Sequence, residues 1–255
     1  MATEENRVRA EDNMFNLHRN RYPGRGIVVG TSEDGKHAVQ VYWIMGRSEN
    51  SRNRLFSQDG SRVYTEPADP TKIADPSLII YNAMRESQTR RHFVVSNGAQ
   101  TDDVAEGFGM GRPFLESLGL YKYEPDAPNF TPRITAYHLR QWEFEKKVSA
   151  IIAVQKKSLF GDECDRAIYR YDEIAPGFGY MVTTYMGDAP QGEPLPSFRG
   201  EPILMPLKGG MESISQAYWD GLNSDNVISL AVKFIDVATG KSEIDLTNKY
   251  QKVYA

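Results

Sequence analysis

Side chains suited to polar chemistry crowd between Tyr81 and Arg133. Tyr81, Asn82 and Arg85 lie three and four positions apart, a spacing that on a helix brings a phenol, an amide and a guanidinium to one face. The same spacing also describes a tyrosine at the core margin beside a solvated arginine. Ser96-Asn97-Gly98 closes a strand just before a helix, where backbone N–H groups can face an anion or form an ordinary turn. Thr131-Pro132-Arg133 offers another guanidinium from a loop, and Tyr123-Glu124 lies shortly upstream. Cys164 sits in Gly-Asp-Glu-Cys-Asp-Arg, where neighbouring acids raise a thiol's pKa and make it a poor nucleophile. Gly107, Gly109 and Gly111 have the wrong spacing for a dinucleotide fingerprint. No Walker A loop and no His-Glu-x-x-His occurs.

The elements that must carry these groups read as follows. Residues 1–21 are polar and of mixed charge, and are expected to form an irregular arm. Gly26 to Gly30 and His37 to Met45 alternate like strands about Asp34-Gly35, which predicts a hairpin. Gly46 to Gly60 reads as a polar loop and Ser61 to Glu66 as a short strand. Asp75-Pro76-Ser77 carries N-cap chemistry and predicts a helix to about Glu86. His92 to Ser96 is a strand. Thr101 is expected to cap a helix with Asp102 and Asp103 in its first turn, interrupted by the three glycines, with a further helix from Pro113 to Leu118. Tyr121 to Pro132 reads as a loop and Val148 to Val154 as a strand. Ala167 to Ile174 and Tyr180 to Met186 are expected to pair as a hairpin, and Gly187 to Gly200 to form an exposed excursion. Ile214 to Leu222 reads as a helix. Ile228 to Phe234 alternates like a half-buried strand, and Ser242 to Leu246 follows it.

The 255 residues carry 30 basic and 34 acidic groups, a net charge of −4 that disfavours a nucleic-acid partner. No apolar run reaches membrane-spanning length, so no membrane association is expected. One cysteine and four histidines leave no framework for disulfides or a cysteine-based metal site. A cytoplasmic protein without metal or cofactor is the expected class.

Several short blocks occur in a particular order: Tyr22-Pro23-Gly24-Arg25-Gly26, Asn53-Arg54, Tyr81-Asn82-Ala83-Met84-Arg85, Val94-Val95-Ser96-Asn97-Gly98 with Thr101-Asp102, Tyr123-Glu124, and Thr131-Pro132-Arg133-Ile134. Together they resemble the archaeal IMP cyclohydrolase family over roughly residues 20–190. The resemblance implies an α+β fold, a four-layer α-β-β-α sandwich like that of the N-terminal-nucleophile hydrolases but without a processed nucleophile. It implies one such domain from residue 22 onward and a homo-oligomer acting on a purine ribotide. The implied reaction closes 5-formamidoimidazole-4-carboxamide ribotide to IMP. By the same resemblance Tyr81, Glu124 and Arg54 are the catalytic candidates. Arg25, Asn82, Arg85, Ser96, Asn97, Gly98, Thr101, Asp102 and Arg133 are the substrate-binding ones. The chain departs from the family pattern by its greater length, its extended start and a strand-rich tail after about Gly200. Two other functions stay open: a C–N hydrolase with a terminal nucleophile, and a nucleotide-binding module without catalysis on the same scaffold.

Overall fold

The computed structural model describes residues 3–72, 80–140, 148–190 and 192–253. Its two sheets are entirely antiparallel. Six strands form the first, in the order β11 (Ile203–Pro206), β10 (Phe178–Thr183), β1 (Gly26–Thr31), β2 (His37–Met45), β12 (Val227–Asp236) and β13 (Ser242–Asn248). The second is a seven-stranded meander: β3 (Leu55–Asp59), β4 (Arg62–Glu66), β5 (Asn82–Glu86), β6 (His92–Ser96), β7 (Arg133–Arg140), β8 (Val148–Lys157) and β9 (Cys164–Tyr171).

Strand alternation sorts the side chains into layers. Ile27, Val29, Tyr42 and Ile44 of the first sheet pack against Val63, Val95, Ile134 and Ile152 of the second. Their neighbours Val28, Val41 and Trp43 point the other way, into a cluster with Leu17 of α1 (Glu4–Arg19) and Ile214 and Tyr218 of α5 (Met211–Gly221). On the far side of the second sheet, Val94 and Tyr137 meet Val104 of α3 (Gln100–Gly109) and Phe114 and Leu118 of α4 (Phe114–Gly119). The result is a sandwich of two sheets with helices against each outer face. Polar side chains bolt the sheets together: Gln40 Nε2 donates to the Phe93 carbonyl at 2.7 Å, and buried Lys233 reaches Glu86 Oε1 at 3.0 Å.

The expected hairpin of β1 and β2 is present, as are the strands β4, β6, β8 and β13 and the helices α4 and α5. Elsewhere tertiary contacts decide. Residues 4–19 are a helix, not an irregular arm: Thr3 accepts from Asn6 N at its start, and Ala10 and Leu17 are its thin buried stripe. Gly46 to Gly60 contains α2 (Glu49–Arg52) and β3, with Leu55 and Phe56 buried. The helix expected to run to Glu86 is contradicted over Asn82–Glu86, which is β5; Asp75-Pro76-Ser77 lies outside the described residues. Ala, Met, Arg and Glu favour helix intrinsically, but pairing to β4 and β6 with burial of Ala83 and Met84 overrides so weak a preference. The helical grouping of Tyr81, Asn82 and Arg85 goes with it. Thr101 does not cap α3: it lies inside the helix, and its hydroxyl donates to the Gly98 carbonyl at 2.9 Å. That helix runs on through Gly107, where a Cβ would come within 2.4 Å of Ser117 Oγ.

The hairpin expected from Ala167 to Met186 does not form. β9 and β10 belong to different sheets, and β10 pairs with β1 instead, because its apolar residues fill the first sheet. The Gly187 to Gly200 excursion is pinned by buried Leu195 and Phe198. β12 is buried on both faces, since one covers the second sheet and the other α5.

Candidate functional site

A cavity of about 310 Å³ opens where four chain segments meet, one of them the stretch after β10 that supplies Tyr185 and Leu195. The first is the turn leading into β1. Gly24 has φ +72°, and a Cβ there would lie 2.2 Å from Thr184 Oγ1, so only glycine takes this bend. Trp43 Nε1 donates to the Gly24 carbonyl at 3.0 Å and Arg25 N to Thr184 Oγ1 at 3.1 Å, which aims the Arg25 side chain inward. The second segment joins β2 to β3 and brings Arg47, Ser48, Asn50, Ser51 and Arg54. Arg54 is buried, with Nε on the Ser51 carbonyl at 2.9 Å and Nη2 on the Met45 carbonyl at 3.3 Å. The third is the loop before β7, with Glu124, Asp126, Asn129 and Thr131. Its shape is fixed by Glu124 N donating to the Thr131 carbonyl at 2.8 Å and Thr131 N to Asp126 Oδ1 at 2.7 Å.

At the cavity wall Arg25 Nη2 meets Glu124 Oε2 at 2.9 Å, and both side chains are almost wholly buried. Burial lifts the Glu124 carboxyl above its ordinary pKa, and Arg25 and Arg133 pull it back only in part. Burial is the largest influence on the Arg25 cation and works against it, but Glu124 together with Tyr81, Tyr42 and Tyr185 raises its pKa above the usual guanidinium value. Tyr81, Tyr42 and Tyr185 also lie within electrostatic reach of Arg25. Tyr42 and Tyr81 share a hydrogen bond of 2.6 Å between their hydroxyls, and burial pushes Tyr42 well above the usual phenol range. Tyr185 is likewise pushed up by burial and touches the Thr131 hydroxyl.

Arg133 stands behind this pair. Its Nη1 donates to Gln100 Oε1 at 2.7 Å and its guanidinium lies over the Tyr121 ring, 5.1 Å from the centroid. Burial lowers its pKa, opposed by Glu124 and reinforced by Arg25. A Cβ on Gly98 would come within 2.4 Å of Arg133 Nη1, so that glycine makes way for the guanidinium. Asn97 ties the turn to the same strand, accepting from Ile134 N at 2.9 Å and donating to the Pro132 carbonyl at 2.9 Å. Ser96 and Thr101 bond to each other and to the Gly98 carbonyl.

Of the candidates, Arg25, Arg54 and Glu124 share the cavity, while Tyr81 and Arg133 lie in electrostatic contact with its buried pair. Ser96, Asn97, Gly98 and Thr101 form the buried turn that positions Arg133. Asn82, Arg85 and Asp102 make a separate cluster. Arg85 Nη1 bonds Asp102 Oδ1 at 2.7 Å and Glu106 Oε1 at 3.0 Å, and Asn82 Nδ2 donates to Asp102 at 2.9 Å. These three do not line the cavity. Tyr22, Tyr42, Arg47, Asp126, Asn129 and Tyr185 were not singled out by sequence. Tyr22 had a signal in its adjacency to Pro23-Gly24-Arg25, whereas Tyr42 and Tyr185 look like ordinary strand aromatics. The Cys164 thiol is raised chiefly by burial, with Asp165 a lesser contributor. Among the described residues no group of three or more His, Cys, Asp or Glu could hold a metal, and no helix is long and apolar enough to cross a membrane.

Comparison with known proteins bears directly on this cavity. Proteins named IMP cyclohydrolase match from Methanopyrus kandleri at 34% identity over 118 residues, from Methanocaldococcus jannaschii at 33% over 117 and from Natronomonas pharaonis at 33% over 117. The matches cover 45%, 45% and 44% of this chain and 57%, 55% and 56% of the relatives, so the chain spans little more than half the length of each. The sequence model for the IMP cyclohydrolase-like proteins matches residues 22–241, a stretch containing every residue that lines the cavity, and the chain belongs to that family.

Proposed function

We propose that the chain closes 5-formamidoimidazole-4-carboxamide ribotide to IMP with release of water. The observation that carries this reading is the buried Arg25–Glu124 pair at the wall of a cavity that also holds Arg54 and Arg47. In ring closure the carboxamide nitrogen attacks the formyl carbon, forming a C–N bond and a tetrahedral oxyanion. The attacking nitrogen loses one of its two protons and the formamido nitrogen its only one; the former formyl oxygen takes up both and leaves as water as its C–O bond breaks and the ring C=N bond forms. Both reacting groups belong to one molecule, so the protein's task is to fix the reactive rotamer, stabilise the oxyanion and move protons.

Glu124 suits proton transfer because its raised pKa brings it nearer to neutrality. Arg25 is the donor for the developing oxyanion, and the Tyr81–Tyr42 hydroxyl pair is a second proton path beside it. Arg54, held by the Ser51 and Met45 carbonyls, and Arg47, ion-paired with Asp188, place positive charge on the wall for the ribotide phosphate. Arg133 acts through Glu124, and the turn from Ser96 to Thr101 positions Arg133 in its turn. Asn82, Arg85 and Asp102 support the second sheet under this reading and do not hold substrate. The reading includes a cytoplasmic homo-oligomer that works without metal or cofactor, and a sandwich of the N-terminal-nucleophile type without self-processing.

Purified chain mixed with the formylated ribotide, without added metal, is expected to generate the absorbance of IMP. Absence of turnover at saturating substrate overturns the proposal; ribotide binding without turnover favours a nucleotide-binding module. A mass showing cleavage before a Ser, Thr or Cys would favour the hydrolase reading.

A further inference from the structure

A second cavity, open and about 500 Å³ in volume, adjoins the first. Arg47 lines both. Its far wall is the tail after β13: Tyr250, Gln251 and Val253, which lie beyond the stretch shared with the family. That wall is held in place by named contacts. Val253 N donates to the Ala68 carbonyl at 2.8 Å, and Lys249 Nζ reaches the Ser224 carbonyl at 2.7 Å. Asn53 and Asp69 brace the floor through bonds of 2.8 and 2.7 Å.

Of the cations on these walls, Arg47 is ion-paired with Asp188 and Lys72 with Asp69. Arg52 is half-buried, and its N–H groups donate to the Gly46 carbonyl at 3.2 Å and Asn226 Oδ1 at 3.3 Å, both neutral. Among the described residues no carboxylate contacts it. Of the two acids present, Asp69 is engaged by Thr71 and Lys72, and Glu49 is exposed to solvent. With Nε and Nη2 on neutral acceptors, the Nη1 end of this guanidinium is left to meet an anion on the concave wall, and phosphate is a strong acceptor for such a donor. Half-buried Tyr250 supplies a flat apolar surface beside it. The volume lies within the range of small-molecule sites.

We propose that this second cavity binds a small organic phosphate of nucleotide size, with its phosphate on Arg52 and its flat part against Tyr250. The site is distinct from the cavity assigned to ring closure, and the shared Arg47 puts the two in contact.

Calorimetric titration of the full chain with AMP, and separately with adenosine, tests this. AMP is expected to bind, with Arg52→Ala and Tyr250→Ala each weakening that binding by about tenfold, the effect of one charge-assisted or stacking contact. Adenosine is expected to bind at least about tenfold more weakly than AMP. Circular dichroism verifies folding, and Tyr250→Ala, which leaves the Arg52 contacts alone, decides the matter if Arg52→Ala does not fold. Absence of AMP binding, AMP affinity unchanged in Tyr250→Ala, or adenosine binding as tightly as AMP overturns the proposal. Because the readout is binding at residues outside the first cavity, it stands or falls separately from cyclohydrolase activity.

Discussion

Replacing Glu124 separates what the buried ion pair does for folding from what it does for chemistry. Arg25 and Glu124 meet at 2.9 Å with almost no solvent access. With charge centres about 4 Å apart and an effective dielectric of about 20, their attraction is about 4 kcal/mol. Desolvation of both groups cancels much of it, so the pair as a whole contributes little net stability. Removing one partner is another matter, because the remaining charge stays buried. Glu124→Leu and Arg25→Met are each expected to cost about 3–5 kcal/mol. The double variant is expected to cost about 2–4 kcal/mol less than their sum, since no lone charge is then left in the wall. Urea unfolding of the four proteins measures this cycle. Ring closure should be lost in all three variants, including the double one that recovers stability. Costs that add to within about 0.5 kcal/mol would refute the coupling, and turnover in the stable double variant would refute the catalytic assignment.

Three further outcomes follow from the geometry. Tyr81→Phe removes a hydroxyl bonded to Tyr42 and is expected to slow ring closure by about 10²–10⁴-fold with KM little changed, which steady-state kinetics reads directly; near-normal turnover removes Tyr81 from proton transfer. Gly98→Ala forces a methyl to within 2.4 Å of Arg133 Nη1, so it should weaken substrate binding and lower the melting temperature, and an unaltered variant would dismiss Arg133 positioning. His138 is buried, and its ring nitrogens have no partner beyond a weak approach to the Gly30 backbone; burial drops its pKa to about 3. A folded-state pKa below the unfolded value means that protons favour the unfolded chain, so stability is complete above about pH 6.5 and falls toward pH 3 by about 1.4 kcal/mol per unit. His138→Gln should flatten that acid limb in unfolding curves at successive pH values, and an identical limb would count against this cause.

How much of this was legible in the residues depends on the distance over which each decision is made. The β1–β2 hairpin was visible because a tight turn and alternating apolar residues are local properties. Arg25, Arg54 and Glu124 stood out only as parts of an ordered set of short blocks, and the structure brings those three together. Asn82 to Glu86 misled because its residue types favour helix while its neighbours in space, β4 and β6, demand a strand. The pairing of β10 with β1 joins residues some 150 positions apart, and no periodicity reports it. Tyr42 and Tyr185 were missed for the same reason. Each is an ordinary aromatic until the other sheet, or the loop carrying Thr131, arrives beside it.

The placement of β1 between β2 and β10 has one more consequence. A fragment ending before Phe178 would still contain Arg25, Arg54, Tyr81 and Glu124, yet β1 would have an empty flank and Gly24 would lose the Thr184 hydroxyl and Tyr185 ring that shape its bend. The pocket therefore depends on a strand that carries none of its charged groups, and a chain cut before Phe178 is expected to keep those side chains yet lose the cavity.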